Sequence, residues 1–187
     1  MPKKHQPFKF ETRALQSTKN IINEVHAISL PIYLSSTFIR NKEGKYEDGY
    51  KYSRNDNPNR RTLEKSISTL ENGTTGFAFG SGMAAISAVF QSLKTGDHVI
   101  LPDDVYFNLK FLLKGIFNRW GLSYSFVNMS NIEAISRSLN QHTRLIWIES
   151  PSNPQLKISD IRGICQLAHA HQILIACLLY TSDAADE

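Results

Sequence analysis

The chain has 187 residues, 41% hydrophobic and 20% charged, with a formal net charge of +4. That composition suits one folded domain, or the front part of a larger one, and excludes a disordered chain. No apolar run reaches the roughly 18 residues of a membrane-spanning helix, and no apolar stretch follows the basic start, so neither a membrane anchor nor a secretory leader is expected.

Residues 1–50 read as an irregular arm. Pro2, Pro7, Pro31, Gly44 and Gly49 interrupt it, Ile28–Tyr33 is a short apolar run, and no helical or strand period is sustained. Such an arm is expected to wrap around this chain or a partner. Regular structure begins at Pro58, which suits a first helical turn behind an Asn57 cap. Leu63, Ile67 and Leu70 recur at helical spacing, and Asn72-Gly73 ends that helix. Gly76–Phe79 reads as a short strand, Gly80-Ser81-Gly82 as a tight turn, and Met83–Leu93 as an apolar helix. His98–Leu101, Leu122–Val127, Arg144–Ile148 and Ile173–Ala176 read as strands. Tyr106–Trp120, Asn131–Leu139 and Ile158–His171 read as the helices between them. Short strands alternating with helices predict an α/β fold, a mostly parallel sheet covered by helices on both faces. Ligands of such sheets sit beyond the carboxyl ends of the strands, so the residues there carry the interest.

Four stretches stand at such places or carry suitable chemistry. Ser81, Gly82 and Met83 open a helix after a small-residue turn, where backbone N–H groups and the helix dipole favour an anion such as phosphate. The glycine spacing matches neither a P-loop nor a dinucleotide fingerprint, and taken alone the stretch is also an ordinary βα turn. Tyr52 and Arg54 point the same way if their segment is extended, and a phenol beside a guanidinium can grip one phosphate. Alone they also suit an exposed loop. Tyr106 follows the strand ending at Leu101 and can stack on a flat ring, or simply join the next helix. Glu149-Ser-Pro-Ser-Asn-Pro154 follows another strand, and its two prolines stiffen a loop that presents Asn153.

Other features carry less. His169 and His171 face different ways on their helix, and His26, His98 and His142 have no partner at ligand spacing, so no metal site is expected. Asp103-Asp104 reads as the start of a helix. Cys165 lies on an apolar stripe. With Cys177 as the only other cysteine, no disulfide framework arises, and a reducing cytoplasm fits. Scattered lysines and arginines give no nucleic-acid patch.

In this order and spacing the segments resemble the Cys/Met metabolism family of pyridoxal-phosphate (PLP) enzymes, the trans-sulfuration enzymes. The resemblance rests on Tyr52–Arg60, Leu63-Glu-Lys65, Phe79–Ala85, Gly96-Asp97, Asp103–Tyr106 and Trp147–Pro154. Ser29–Phe38 is similar to the family's N-terminal arm, and the likeness spans about residues 10–176. It implies fold type I, with residues 1–50 as the arm and 51–176 as the front part of an incomplete PLP-binding large domain. It further implies that Ser81, Gly82 and Met83 bind the cofactor phosphate. Tyr52 and Arg54 would reach the phosphate of a neighbouring subunit in a homo-oligomer, a homotetramer in the family. Tyr106 would stack on the pyridine ring and assist proton transfers, and Asn153 would contact the ring hydroxyl. The implied activity is β- or γ-elimination or γ-replacement on sulfur amino acids or O-acylhomoserine, with the protonated ring as electron sink. Cystathionine γ-synthase is the preferred relative, with cystathionine β-lyase, cystathionine γ-lyase and methionine γ-lyase as alternatives. An aminotransferase is disfavoured by the Tyr-Ser-Arg arm and the Glu-Ser-Pro-Ser-Asn-Pro loop.

The sequence also departs from the family. Tyr106-Phe-Asn-Leu-Lys-Phe111 lacks the glycine pair and arginine found after the stacking tyrosine, and Lys51 stands where several relatives keep an acidic residue. Leu178 aligns with the aspartate that pairs with the pyridine nitrogen. Residues 177–187 read as a non-native tail, from an adapter or frame break. No lysine lies in the family's serine-x-threonine-lysine setting, so the Schiff-base lysine is absent. The expectation is therefore an inactive N-terminal fragment of such an enzyme. A non-catalytic oligomerisation or binding module is the alternative of another class.

Overall fold

The computed structural model describes residues 9–16 and 29–178. His26, the start of the arm and most of the predicted tail lie outside the described residues. The chain divides into two compact units between Phe79 and Gly80.

Among its described residues the first unit has the helices α1 (Phe10–Gln16) and α2 (Pro58–Leu70). The α1 helix corrects the expectation that the arm has no regular structure. Its Arg13 guanidinium donates to the Thr69 carbonyl (3.3 Å) and to Asn72 Oδ1 (3.0 Å), so a tertiary contact supports what local periodicity does not announce. Helix α2 begins as read, with Pro58 in its first turn and the Asn57 side chain accepting the Asn59 N–H at 2.9 Å. Its apolar stripe is not buried, however: Leu63 and Ile67 are 51% and 48% exposed, while Pro58 and Thr62 are covered. Helical periodicity shows which face is apolar; whether that face is covered depends on what packs there.

The predicted strand at residues 76–79 is absent. A strand needs a neighbour to complete its hydrogen bonds. Here the Ala78 N–H donates to the Glu64 carboxylate at 3.0 Å instead. Gly76 lies directly on the Glu64 carbonyl, an approach that any side chain at residue 76 would block.

The second unit carries a four-stranded, wholly parallel sheet: β1 (His98–Pro102), β2 (Ser123–Val127), β3 (Thr143–Glu149) and β4 (Leu174–Leu178), in the order β2-β1-β3-β4. Four helices accompany it: α3 (Gly82–Gln91), α4 (Phe107–Leu112), α5 (Ile132–Ser138) and α6 (Ile161–Ala170). The strand residues alternate between two cores, as the period of two demands. Val99, Leu101, Leu145 and Trp147 meet Ile86 and Phe90 of α3 and Leu109 of α4 on one face. Ile100, Ile146 and Ile148 meet Ile135 of α5 and Ile164 and Ala168 of α6 on the other. The expected parallel sheet with helices on both faces is therefore present.

Details differ from the sequence reading. The helix after β1 starts at Phe107, and its second half, Leu113–Phe117, widens into a π-helix. That turn closes at Gly121, whose φ of +79° suits glycine, and a Cβ there would stand 2.7 Å from the Thr95 methyl. Strand β4 runs two residues past Ala176, through Cys177 to Leu178, and pairs with β3 up to Glu149. Burial pushes the Cys177 thiol up to about 11, with Cys165 and Glu149 adding to the shift.

His98 is a core histidine. Its Nδ1 lies 2.9 Å from Thr143 Oγ1 and its Nε2 2.9 Å from Ser125 Oγ, so one ring ties β2, β1 and β3 together. Burial, assisted by His142, lowers its pKa below the ordinary value. The unfolded chain then binds this proton first as pH falls. Sheet stability is expected to decline once pH drops below about 6.5, and His98→Gln should flatten that slope in urea titrations at successive pH values. Phe90 is fully buried and packs on Phe117 and Trp147 at ring separations of 5.3 and 5.6 Å. Phe90→Ala should cost about 3–5 kcal/mol, measured by denaturant unfolding.

Candidate functional site

The carboxyl ends of β1 and β3 and the starts of α3 and α4 hold most of the candidate residues. Ser81 is the N-cap of α3, in extended conformation, and its side chain accepts the Ala84 N–H at 3.2 Å. Its carbonyl accepts from Ala84 and Ala85 at 3.1 and 3.2 Å, so the helix's own bonding begins there and leaves the Gly82 and Met83 N–H groups at the open end. A Cβ built on Gly80 or Gly82 meets nothing within 4 Å, so space stands before this backbone on both sides of Ser81. The Met83 side chain is partly buried and packs against the core. Small residues, a capping hydroxyl and free amides fit a phosphate group such as the one PLP carries.

Tyr106 sits just before α4 and is 37% exposed. Its position is set by Glu149, which is 3% exposed at the end of β3. One carboxylate oxygen of Glu149 accepts the Tyr106 backbone N–H at 3.0 Å, and the other accepts the Trp147 indole N–H at 3.0 Å. Burial raises the Glu149 pKa, partly opposed by those two hydrogen bonds. The Tyr106 phenol accepts a hydrogen bond from the Asn108 side chain at 2.8 Å. Asn108 falls within the stretch where the sequence departs from the family's glycine pair, so that departure touches the phenol directly.

Asn153 is exposed, between Ser152 and the cis Asn153–Pro154 bond. It lines a shallow pocket of about 380 Å³ with Asp103, Asp104, Phe107, Lys110 and Lys157. The Asp103-Asp104 pair does not start a helix, as the sequence suggested. Ser152 Oγ donates to Asp104 Oδ2 at 2.5 Å, and Lys157 Nζ lies 3.0 Å from Asp103 Oδ1 and 3.7 Å from Asp104 Oδ2. The bond to Asp103 is the main cause that raises the Lys157 pKa. Sequence reading missed Lys157 and Asp104. Their partners lie about fifty residues away along the chain, and no local pattern marks such a pairing.

Tyr52 and Arg54 belong to the first unit. Tyr52 forms an antiparallel bridge with Thr37, and the chain then turns, with the Asn55 and Asp56 N–H groups donating to the Tyr52 carbonyl at 2.9 and 3.1 Å. The two side chains meet through this turn and not through an extended segment: the Arg54 guanidinium stands 5.1 Å from the Tyr52 ring centre. Among the described residues no group of three potential metal ligands converges, and no helix is long and apolar enough to cross a membrane.

The family profile described as "Cys/Met metabolism PLP-dependent enzyme" matches residues 11–178. The chain is 41% identical over 150 residues to cystathionine gamma-synthase of Mycobacterium leprae, covering 80% of this chain and 39% of that protein. It is 43% identical over 148 residues to cystathionine beta-lyase of Lactococcus lactis subsp. cremoris, covering 79% and 39%. Among solved structures, MetB from Corynebacterium glutamicum superimposes with a TM-score of 0.87 at 34% identity, covering 92% of this chain and 45% of that one. Cystathionine gamma-lyase from Lactobacillus plantarum, complexed with L-serine, superimposes with a TM-score of 0.85 at 38% identity, covering 91% and 44%. The chain thus spans about two fifths of the length of the curated relatives it matches.

Removing the Glu149 carboxylate leaves two buried donors without partners. Glu149→Ala should cost about 2–3 kcal/mol and speed hydrogen exchange of the Tyr106 amide, whereas Glu149→Gln should retain part of both. Urea unfolding with residue-resolved exchange measures each effect.

Proposed function

Because the chain belongs to the Cys/Met metabolism PLP-dependent enzyme family, we propose that it supplies the cofactor-phosphate cradle of a trans-sulfuration enzyme. The observation that carries this reading is the start of α3, with its Ser81 cap and the open space before Gly80 and Gly82. Gly82 and Met83 would hold the phosphate by their backbone N–H groups, and Ser81 by its hydroxyl. Tyr106 would stack on the pyridine ring and assist proton transfers at its phenol oxygen. Asn153 donates to the ring hydroxyl. Tyr52 and Arg54, already side by side, grip the phosphate in a neighbouring subunit of a homo-oligomer, the guanidinium as a bidentate donor. When bound, the cofactor supplies an electron sink for carbanion chemistry on an amino-acid substrate.

The substrate class is a sulfur amino acid or O-acylhomoserine, with γ-replacement of the cystathionine γ-synthase type preferred over the lyase activities. The reducing cytoplasm is the proposed setting, in keeping with two unpaired cysteines. These residues by themselves do not complete a catalytic set, because no lysine stands in the family's serine-x-threonine-lysine setting. The 187-residue chain alone is therefore proposed to be inactive. A second reading, a non-catalytic binding or oligomerisation module, draws on Leu178. It stands opposite Glu149 at the end of β4 and packs into the core, where a neutral side chain cannot stabilise a protonated ring nitrogen.

Fluorescence titration distinguishes the cradle from an ordinary turn. Pyridoxal phosphate should bind at least tenfold more tightly than pyridoxal, and Gly82→Val should remove that preference by filling the space before the amides. Equal affinity for the two vitamers would defeat the cradle. Visible absorbance of a lysine-bound cofactor is expected to be absent from this chain, and its appearance would overturn the claim that the chain alone is inactive.

A further inference from the structure

The loop that carries Asn153 has few apolar anchors of its own: Asn153, Leu156 and Ile158 are all exposed. It is nonetheless tied down by polar contacts: Ser150 Oγ accepts the Ser159 N–H at 3.1 Å, the Ser130 hydroxyl donates to the Ile158 carbonyl at 3.1 Å, and Ser152 gathers the rest. Ser152 is 2% exposed and makes four hydrogen bonds. Its hydroxyl donates to Asp104 and accepts the Lys157 N–H at 3.0 Å. Its backbone N–H donates to the Lys157 carbonyl at 3.0 Å, and its carbonyl accepts the Leu156 N–H at 2.8 Å. Ser152 and Lys157 thus close a small ring of chain, with Asn153 on its rim. The ring is fastened from outside by the Asp104 carboxylate, whose side chain is only 7% exposed, and by the ion pair of Lys157 with Asp103. A further tie, Lys110 Nζ to the Asp103 carbonyl at 2.8 Å, holds the aspartate segment to α4.

We propose that Asp104 is a positioning residue: through Ser152 and Lys157 it clamps the loop 150–157 to the end of β1 and so fixes where Asn153 stands. This deepens the reading of Asn153 as a cofactor contact and rests on it for its functional meaning, while the clamp itself stands on the contacts above. Of the two aspartates, Asp104 dominates. Its hydrogen bond is to a buried hydroxyl with a charged acceptor, which is stronger than an exposed ion pair. The Asp103–Lys157 pair is half in solvent, and such pairs contribute little. Lys157 matters mainly because its backbone closes the ring and its ammonium balances two carboxylates that lie side by side.

Residue-resolved hydrogen exchange on the full chain, without cofactor, tests the clamp. Asp104→Ala should speed exchange of the Leu156 and Lys157 amides about tenfold and shift the Asn153 side-chain amide signals, with β1 and β3 amides unchanged. Asp104→Asn, which still accepts from Ser152, should restore most of the protection, and Lys157→Arg should behave like the native chain. Unchanged exchange at Leu156 and Lys157 in Asp104→Ala would overturn the proposal, as would an equal rise throughout the sheet. Pyridoxal phosphate affinity of the same variants reads the functional assignment separately. A loosened loop with undiminished affinity would remove Asn153 from the cofactor site and leave the clamp standing, and failure of the native chain to prefer pyridoxal phosphate over pyridoxal would defeat the cradle alone.

Discussion

One buried carboxylate joins the layers of the second unit. Glu149 ends β3 and accepts from the Trp147 indole, which is anchored in the core, and from the backbone N–H of Tyr106, which begins the next layer. A buried charge is tolerated only where its oxygens are satisfied. Each oxygen of Glu149 has one such donor, and through them the tip of the central strand dictates where the chain leaves β1 for α4. The loop that follows Glu149 is in turn held by Asp104 at the end of β1. The ends of two adjacent strands are therefore stitched together twice, once by a carboxylate from each.

This stitching falls at the carboxyl edge of the sheet. In a parallel sheet the strand bodies bury both faces, and β1 and β3 are almost wholly apolar between their ends. Polar side chains have room only beyond the last strand residue, where loops and helix starts leave backbone groups to satisfy. Tyr106 and Asn153 stand in that zone, just past β1 and β3, on segments braced by hydrogen bonds. In the proposed site, precision would depend on its supporting contacts, Glu149 under Tyr106 and Asp104 under the loop of Asn153.

Two departures from the family acquire structural content. Asn108 donates to the Tyr106 phenol, so the altered stretch after the tyrosine bears on the residue proposed to move protons. Leu178 completes β4 in register with Glu149, and the strand accommodates it as partly buried apolar surface. On the proposed reading, the first would bear on proton transfer at the phenol. On the same reading, the second would bear on how strongly a ring proton is held.

Much of this was legible in the chain itself. The alternation of short apolar runs with helical stripes determined the parallel sheet, because strand and helix periods are local properties of the sequence. Asn57-Pro58 announced its helix start for the same reason, since a cap is a contact between near neighbours. What the sequence could not determine was which apolar faces are covered and which distant polar groups meet. Leu63 and Ile67 keep a proper helical stripe yet lie exposed, Ala78 spends its N–H on Glu64 and so forms no strand, and Asp104 finds Ser152 across 48 residues. Those outcomes belong to tertiary structure, because burial and long-range hydrogen bonds depend on what the rest of the chain brings alongside.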